Sequence, residues 1–235
     1  MGQHGEHRAL VIRKPAIAAA LAGLIATPAS ACGLELVLAM DVSRSVINSE
    51  FDLQMGGLAS AFRDPAVAEA IAWTDGGVMV TVTQWSGAES QVQSIPWTHL
   101  RTAEDAEHFA QLVETQQRSF FAAFTAIGEA LFHAASLTQT NPLRCARRVI
   151  DVSGDGASNR GRLPRPLAEA LASQGVTINA LVIAGAKDDP VAFYHRQVVR
   201  GPGSFLEVAD GFDDYARAIR EKLLREIRPQ IASVR

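Results

Sequence analysis

Apolar positions fall along this chain in short runs that alternate with stretches of helical spacing. Residues 34–40 (LELVLAM) form an apolar run ending in a polar loop, and residues 50–62 place Phe51, Met55, Leu58 and Phe62 on one helical face. Residues 78–85 (VMVTVTQW) alternate and are rich in β-branched side chains, which predicts a strand. Residues 91–97 return as its hairpin or edge partner, where Pro96 is tolerated. Residues 103–117 predict a helix with Phe109, Leu112 and Val113 inward. Another helix is expected over 125–136, and a buried strand over 147–153 (RRVIDVS). A helix over 167–173 stops at Gly175. Then follow a strand over 176–184 (VTINALVIA), a helix over 191–199, a strand over 204–209 and a closing amphipathic helix over 212–227.

Strand and helix alternating through short connections specify an α/β fold, a doubly wound, mostly parallel central sheet with helices on both faces. No internal repeat or low-complexity linker divides it, so one domain is expected over residues 33–228, followed by a short tail over 229–235. In such sheets ligands bind beyond the carboxyl ends of the strands. The first strand ends in Asp41-Val42-Ser43-Arg44-Ser45, a carboxylate and two hydroxyls at alternating positions. The strand over 147–153 runs into Gly154-Asp155-Gly156, and Thr125 opens the intervening helix after a loop. Three separate loops thus bring Asp, Ser, Ser, Thr and Asp to one sheet edge. A donor set made only of oxygen suits a hard divalent cation, Mg2+ first, with Mn2+ or Ca2+ as alternatives.

The N-terminus has the order of a secretory signal: His4, His7, Arg8, Arg13 and Lys14, then an apolar run over 16–26, then Ala29-Ser30-Ala31. That run is too short to span a bilayer, and no later stretch is long enough. Cleavage near Ala31 sets residues 1–31 apart as an export signal and implies a periplasmic or secreted domain of 204 residues. It carries 19 Lys and Arg against 24 Asp and Glu. This mildly acidic balance gives no general attraction to nucleic acid.

In these motifs the chain resembles a von Willebrand factor type A (VWA) domain with its metal-ion-dependent adhesion site (MIDAS). Asp41, Ser43 and Ser45 match the family's DxSxS loop, Thr125 its single threonine and Asp155 its late aspartate. Residues 150–156 (IDVSGDG) and 208–212 (VADGF) further resemble the bacterial exported DUF1194 group. Departures are the Ser153-Gly154-Asp155-Gly156 turn and Arg44, where many relatives carry Gly. The resemblance implies a Rossmann-like VWA fold and a protein-binding module whose cation, held by Asp41, Ser43, Ser45, Thr125 and Asp155, takes an Asp or Glu side chain of a partner protein. Arg44 and Phe124 would border that open position. Phe120, Phe121 and Phe124 either form an exposed apolar rim or are buried under the loop. The alternative reading is a metal-assisted hydrolase at the same site. Against it, no catalytic base or nucleophile motif appears, and His133, two helical turns beyond Thr125, is carried away from the edge. Asp151, inside a strand, reads as a satisfied core or edge polar group.

Cys32 and Cys145 are the only cysteines. In the strand order 3-2-1-4-5-6 the first and fourth strands are parallel neighbours. Cys32 lies nine residues before Asp41 and Cys145 ten before Asp155, which puts both at the opposite edge from the metal, at nearly equal depth. A disulfide is therefore expected, in preference to a lipid anchor on Cys32.

Overall fold

In the computed structural model, residues 1–2, 31–121, 124–185 and 190–228 are described. The expected export signal and the tail over 229–235 lie almost wholly outside them. The first strand, β1 (Cys32–Asp41), is buried along nearly its whole length, as a strand covered on both faces must be. Its alternating side chains serve two cores. Leu34, Leu36, Leu38 and Met40 join one apolar cluster, and Val37 and Ala39 join the other.

The first cluster receives α1 (Asn48–Arg63) through Phe51, Met55, Leu58 and Phe62, the four positions of its helical spacing. It also receives α2 (Pro65–Trp73), an element that the apolar periodicity does not mark. That helix is short and apolar on several sides. It is started by Asp64, whose Oδ1 accepts the Ala66 N–H at 2.9 Å, with Pro65 in the first turn. Next come β2 (Val78–Trp85), β3 (Gln91–Leu100) and α3 (Ala103–Glu114), the helix ending three residues earlier than its pattern suggests. The second cluster receives α4 (Ile127–Thr138), which leads into β4 (Cys145–Gly154). It also takes α5 (Pro164–Ser173) and α6 (Val191–Gln197), which flank β5 (Val176–Ile183). Strand β6 (Leu206–Ala209), a 3-10 turn at Phe212–Asp214 and α7 (Tyr215–Ile227) complete the chain, α7 packing into the first cluster.

The sheet runs β3-β2-β1-β4-β5-β6, with every pairing parallel except β2 with β3. The expected doubly wound fold is the one observed. Its centre is the β1–β4 pair, where Leu36 stands opposite Val149 and Met40 opposite Ser153. Behind β4 a charged group is buried between sheet and helix. Lys222 of α7 reaches Asp151 at 2.7 Å and also Glu226, all three side chains being inaccessible or nearly so. Asn179 of β5 donates to Glu226 at 2.7 Å. Asp151 is thus a paired core group, its pKa raised by burial against the lowering pull of Lys222.

At the far edge of the same strand pair, Cys32 stands opposite Cys145 and the two form a disulfide with a Cα separation of 4.4 Å, closing a loop of 113 residues. This bond pins the two strands that carry the site, from the end remote from it. Replacing both cysteines by alanine should lower the unfolding free energy by about 2–5 kcal/mol in urea titrations. Cation affinity should stay unchanged, because the strand ends beyond Met40 and Ser153 are held by the sheet; a parallel loss of affinity would contradict this separation.

Candidate metal centre

Two aspartates emerge side by side because β1 and β4 are parallel and in register: β1 ends on Asp41, and β4 ends on Gly154, one residue before Asp155. The Asp41 carboxylate is fully buried. Its Oδ1 accepts the Ser43 N–H at 2.7 Å, while Oδ2 is buried without a hydrogen-bond partner in the protein. Ser43 Oγ and Ser45 Oγ share a hydrogen bond of 3.1 Å, and Ser45 Oγ donates to Asp155 Oδ1 at 2.8 Å. Thr125 Oγ1 donates to Ser43 Oγ at 3.5 Å. All five residues named by the sequence are therefore brought together. Their depth is graded: Asp41 and Ser43 lie at the floor, Thr125 and Asp155 are 6% and 7% exposed, and Ser45 is open to solvent.

Electrostatics marks the place as short of positive charge. Burial, and then the charge of Asp155, push Asp41 up to about 8. Burial also raises Asp155, against the hydrogen bond from Ser45. Two carboxylates that repel in a low-dielectric floor, one with an orphaned oxygen, are relieved by a cation between them. The three hydroxyls add neutral oxygen donors, so the residues present fit a hard divalent ion. Among the described residues no group of three or more His, Cys, Asp or Glu side chains offers a competing site of that kind.

The loops are held by residues that the sequence patterns did not single out. Arg118 donates through Nη2 to the carbonyls of Ser43, at 2.7 Å, and Val42, at 3.0 Å, clamping the Asp41–Ser45 loop. Gln84 at the end of β2 accepts from the Ser119 N–H at 2.8 Å and donates to the Gln117 carbonyl, tethering the segment that carries Arg118. Asn159 bonds Thr125 twice: its Oδ1 accepts the Thr125 N–H at 3.0 Å and its own N–H donates to the Thr125 carbonyl at 2.9 Å. These contacts are made to backbone, and neither periodicity nor spacing announces them.

Several expectations about the rim change. Thr125 does not sit in a helix; α4 begins at Ile127, and Thr125 lies two residues before it. Phe121 is 69% and Phe124 42% exposed, whereas Phe120 packs partly against the core. The exposed rings are stacked by arginines: Arg118 lies over Phe121 at 4.8 Å and Arg160 over Phe124 at 4.3 Å. Arg44 is exposed and shares a shallow groove with Ile47, Asn48, Arg118 and Phe121. A second groove is lined by Ser45, Glu50, Asp155, Phe212 and Asp213. His133 is on α4 with its imidazole half buried, and burial lowers its pKa. Trp85 is core, as its strand position implies.

A family model described as "Protein of unknown function (DUF1194)" matches residues 31–231. The chain belongs to the DUF1194 family. No curated protein matches it by sequence. Among solved structures, the DUF1194 chain is similar to proximal thread matrix protein 1 (PTMP1) from the mussel byssus, with a TM-score of 0.62 and 16% identity over 83% of this chain and 49% of that one. A further structure of PTMP1 has a zinc-occupied MIDAS motif, with a TM-score of 0.59 at 16% identity, over 83% of this chain and 46% of that one. A von Willebrand factor type A protein from Catenulispora acidiphila matches with a TM-score of 0.56 and 16% identity, over 83% of this chain and 42% of that one. The pilus adhesin SpaC of Lactobacillus rhamnosus GG matches with a TM-score of 0.58 and 12% identity, over 83% of this chain and 30% of that one. This DUF1194 chain thus spans half or less of the length of these structures and has the VWA fold.

Because Asp41 is raised from 3.8 to about 8, the metal-free fold binds one more proton than the unfolded chain between those values. The contribution of Asp41 to stability therefore falls as pH rises through that interval. In chelator, Asp41→Asn should flatten the decline of melting temperature between pH 5 and pH 8. The stabilisation of the wild type by millimolar Mg2+ should be larger at pH 8 than at pH 5, since the cation must displace that proton. Equal Mg2+ increments at both pH values in thermal melts would contradict the assignment.

Proposed function

We propose that this chain is an exported, metal-dependent protein-binding module. Asp41, Ser43, Ser45, Thr125 and Asp155 hold one divalent cation, Mg2+ by the all-oxygen chemistry of the site, and an Asp or Glu side chain of a partner protein completes its coordination. The observation that carries this reading is the orphaned, buried Oδ2 of Asp41 beside Asp155, in a set of hydroxyls that opens to solvent at Ser45. Two carboxylates neutralise a divalent ion, and the neutral hydroxyls leave it electrophilic enough to attract a further anion.

The surroundings support an acidic partner. Arg44 and Arg118 share a groove with the exposed Phe121, Arg160 stacks on the exposed Phe124, and Glu50 and Asp213 line a second groove with Ser45 and Asp155. Arginine and aromatic side chains are the residue types that anchor protein interfaces. Phe124, and Arg44 beside the open position, are accordingly assigned to the partner-binding rim. The zinc-occupied MIDAS motif of PTMP1 and the adhesin role of SpaC belong to proteins of the same fold and are compatible with this use.

The Cys32–Cys145 disulfide suits an oxidising compartment, and among the described residues no helix is long and apolar enough to cross a membrane. The disulfide agrees with a periplasmic or secreted domain released by cleavage near Ala31. A sulfur engaged in a disulfide cannot carry a lipid thioether, so the disulfide use of Cys32 replaces the anchor.

Asp41→Ala should abolish Mg2+ and Mn2+ binding together with Mg2+-dependent capture of a partner, while the circular dichroism of the fold is retained. Partner capture that persists in chelator would overturn the proposal. Paired Arg44→Ala and Arg160→Ala substitutions should instead weaken partner capture about tenfold at low salt and leave the ion's affinity within about twofold, because rim charges act mainly on association.

A further inference from the structure

Helix α6 contributes one buried side chain, Tyr194, and that residue is wholly inaccessible. Its ring belongs to the apolar cluster that includes Val37, Ala39, Ile150 and Val152 under the ends of β1 and β4. Its hydroxyl is buried with no hydrogen-bond partner in the protein. For packing alone a phenylalanine would serve better, since it fills the same volume without an orphaned polar atom.

The hydroxyl is placed beside the other orphaned atom. A Cβ at Gly154 would run into Tyr194 Oη and would lie only 3.1 Å from Asp41 Oδ2. Both oxygens therefore face the small space above the Gly154 backbone, and the missing side chain at that position is what lets them share it. Ionised Asp41 can only accept hydrogen bonds, whereas the phenol can donate one. Burial, then the charges of Asp41 and Asp155, hold the phenol protonated far beyond its ordinary range.

We infer that Tyr194 is a positioning residue of the metal centre, its hydroxyl donating to the Asp41 carboxylate through one bridging water, and so fixing which way that carboxylate faces the ion. The inference rests on the proposed cation site and adds to it a supporting residue from α6, beyond the five oxygen donors. Outer hydrogen bonds of this kind set ligand orientation, and losing one typically weakens metal binding by about 10–100-fold. The role also explains the glycine at 154: even an alanine would occupy the space where the two oxygens meet.

The test is Mg2+ titration of the wild type and Tyr194→Phe by calorimetry at fixed pH, with NMR of the wild type labelled at tyrosine Cζ. The chain has two tyrosines. Tyr215, whose hydroxyl contacts Met40 Sδ at 3.8 Å, is the internal control. Tyr194→Phe should weaken Mg2+ binding about 10–100-fold while melting in chelator at the wild-type temperature or above it. Mg2+ should shift the Tyr194 resonance, identified by its absence from the variant, more than that of Tyr215. Should the variant fail to fold, the wild-type resonance decides the matter. Unchanged affinity in Tyr194→Phe, or a Tyr194 resonance that Mg2+ does not move, overturns the inference and leaves the cation site standing. A wild type that binds neither Mg2+ nor Mn2+ overturns both.

Discussion

Two like charges held close together in a buried floor are the constraint on which this protein turns. Asp41 and Asp155 arrive there because β1 and β4 are adjacent, parallel and in register, so that strand-end residues far apart in sequence leave the sheet at the same level. A protein with no use for that juxtaposition would be expected to avoid it, since desolvation and mutual repulsion both work against ionisation, and Asp41 is accordingly pushed up to about 8. A divalent cation reverses the sign of the interaction. The repulsion between the carboxylates would then become the attraction that holds the ion.

The scaffold around that floor is built to keep it rigid from several directions. The apolar faces of β1 are locked between two cores, one under α1, α3 and α7 and the other under α4, α5 and α6. The disulfide fastens the same strand pair at its other end, and the Lys222–Asp151–Glu226 group ties α7 to the middle of β4. Above the sheet, Arg118 and Asn159 hold the serine and threonine loops through their backbones. Side chains that bear the chemistry are therefore left free of structural duty, apart from the hydrogen bonds that line them up with one another. Outside the floor, two exposed phenylalanines are each stacked by an arginine, Phe121 by Arg118 and Phe124 by Arg160.

Much of this could be read from the chain before the fold was seen. Alternation of apolar runs with helical spacing specifies the doubly wound sheet, and strand order with nearly equal sequence offsets places Cys32 against Cys145. The Asp41, Ser43, Ser45, Thr125 and Asp155 set is legible because each member lies at, or in the loop beside, the end of a predicted strand or the start of a predicted helix. Helix α2 escaped because it lacks a single apolar stripe and its start is set by the Asp64 cap. Arg118, Asn159 and Tyr194 escaped for a different reason: their partners are backbone groups or atoms across the fold, and no local periodicity encodes such pairings. The exposure of Phe121 and Phe124 was left open by sequence, because a phenylalanine in a loop can turn either way until the neighbouring arginines are placed.

Whether both strand-end carboxylates serve one ion is decided by a double-substitution cycle measured by Mn2+ paramagnetic resonance on the wild type, Asp41→Asn, Asp155→Asn and the double variant. The wild-type chain should bind one Mn2+. Each single substitution should remove most of the affinity, and the second should add little, as for residues that act as a unit. Additive losses, or a wild type with no saturable site, would contradict it.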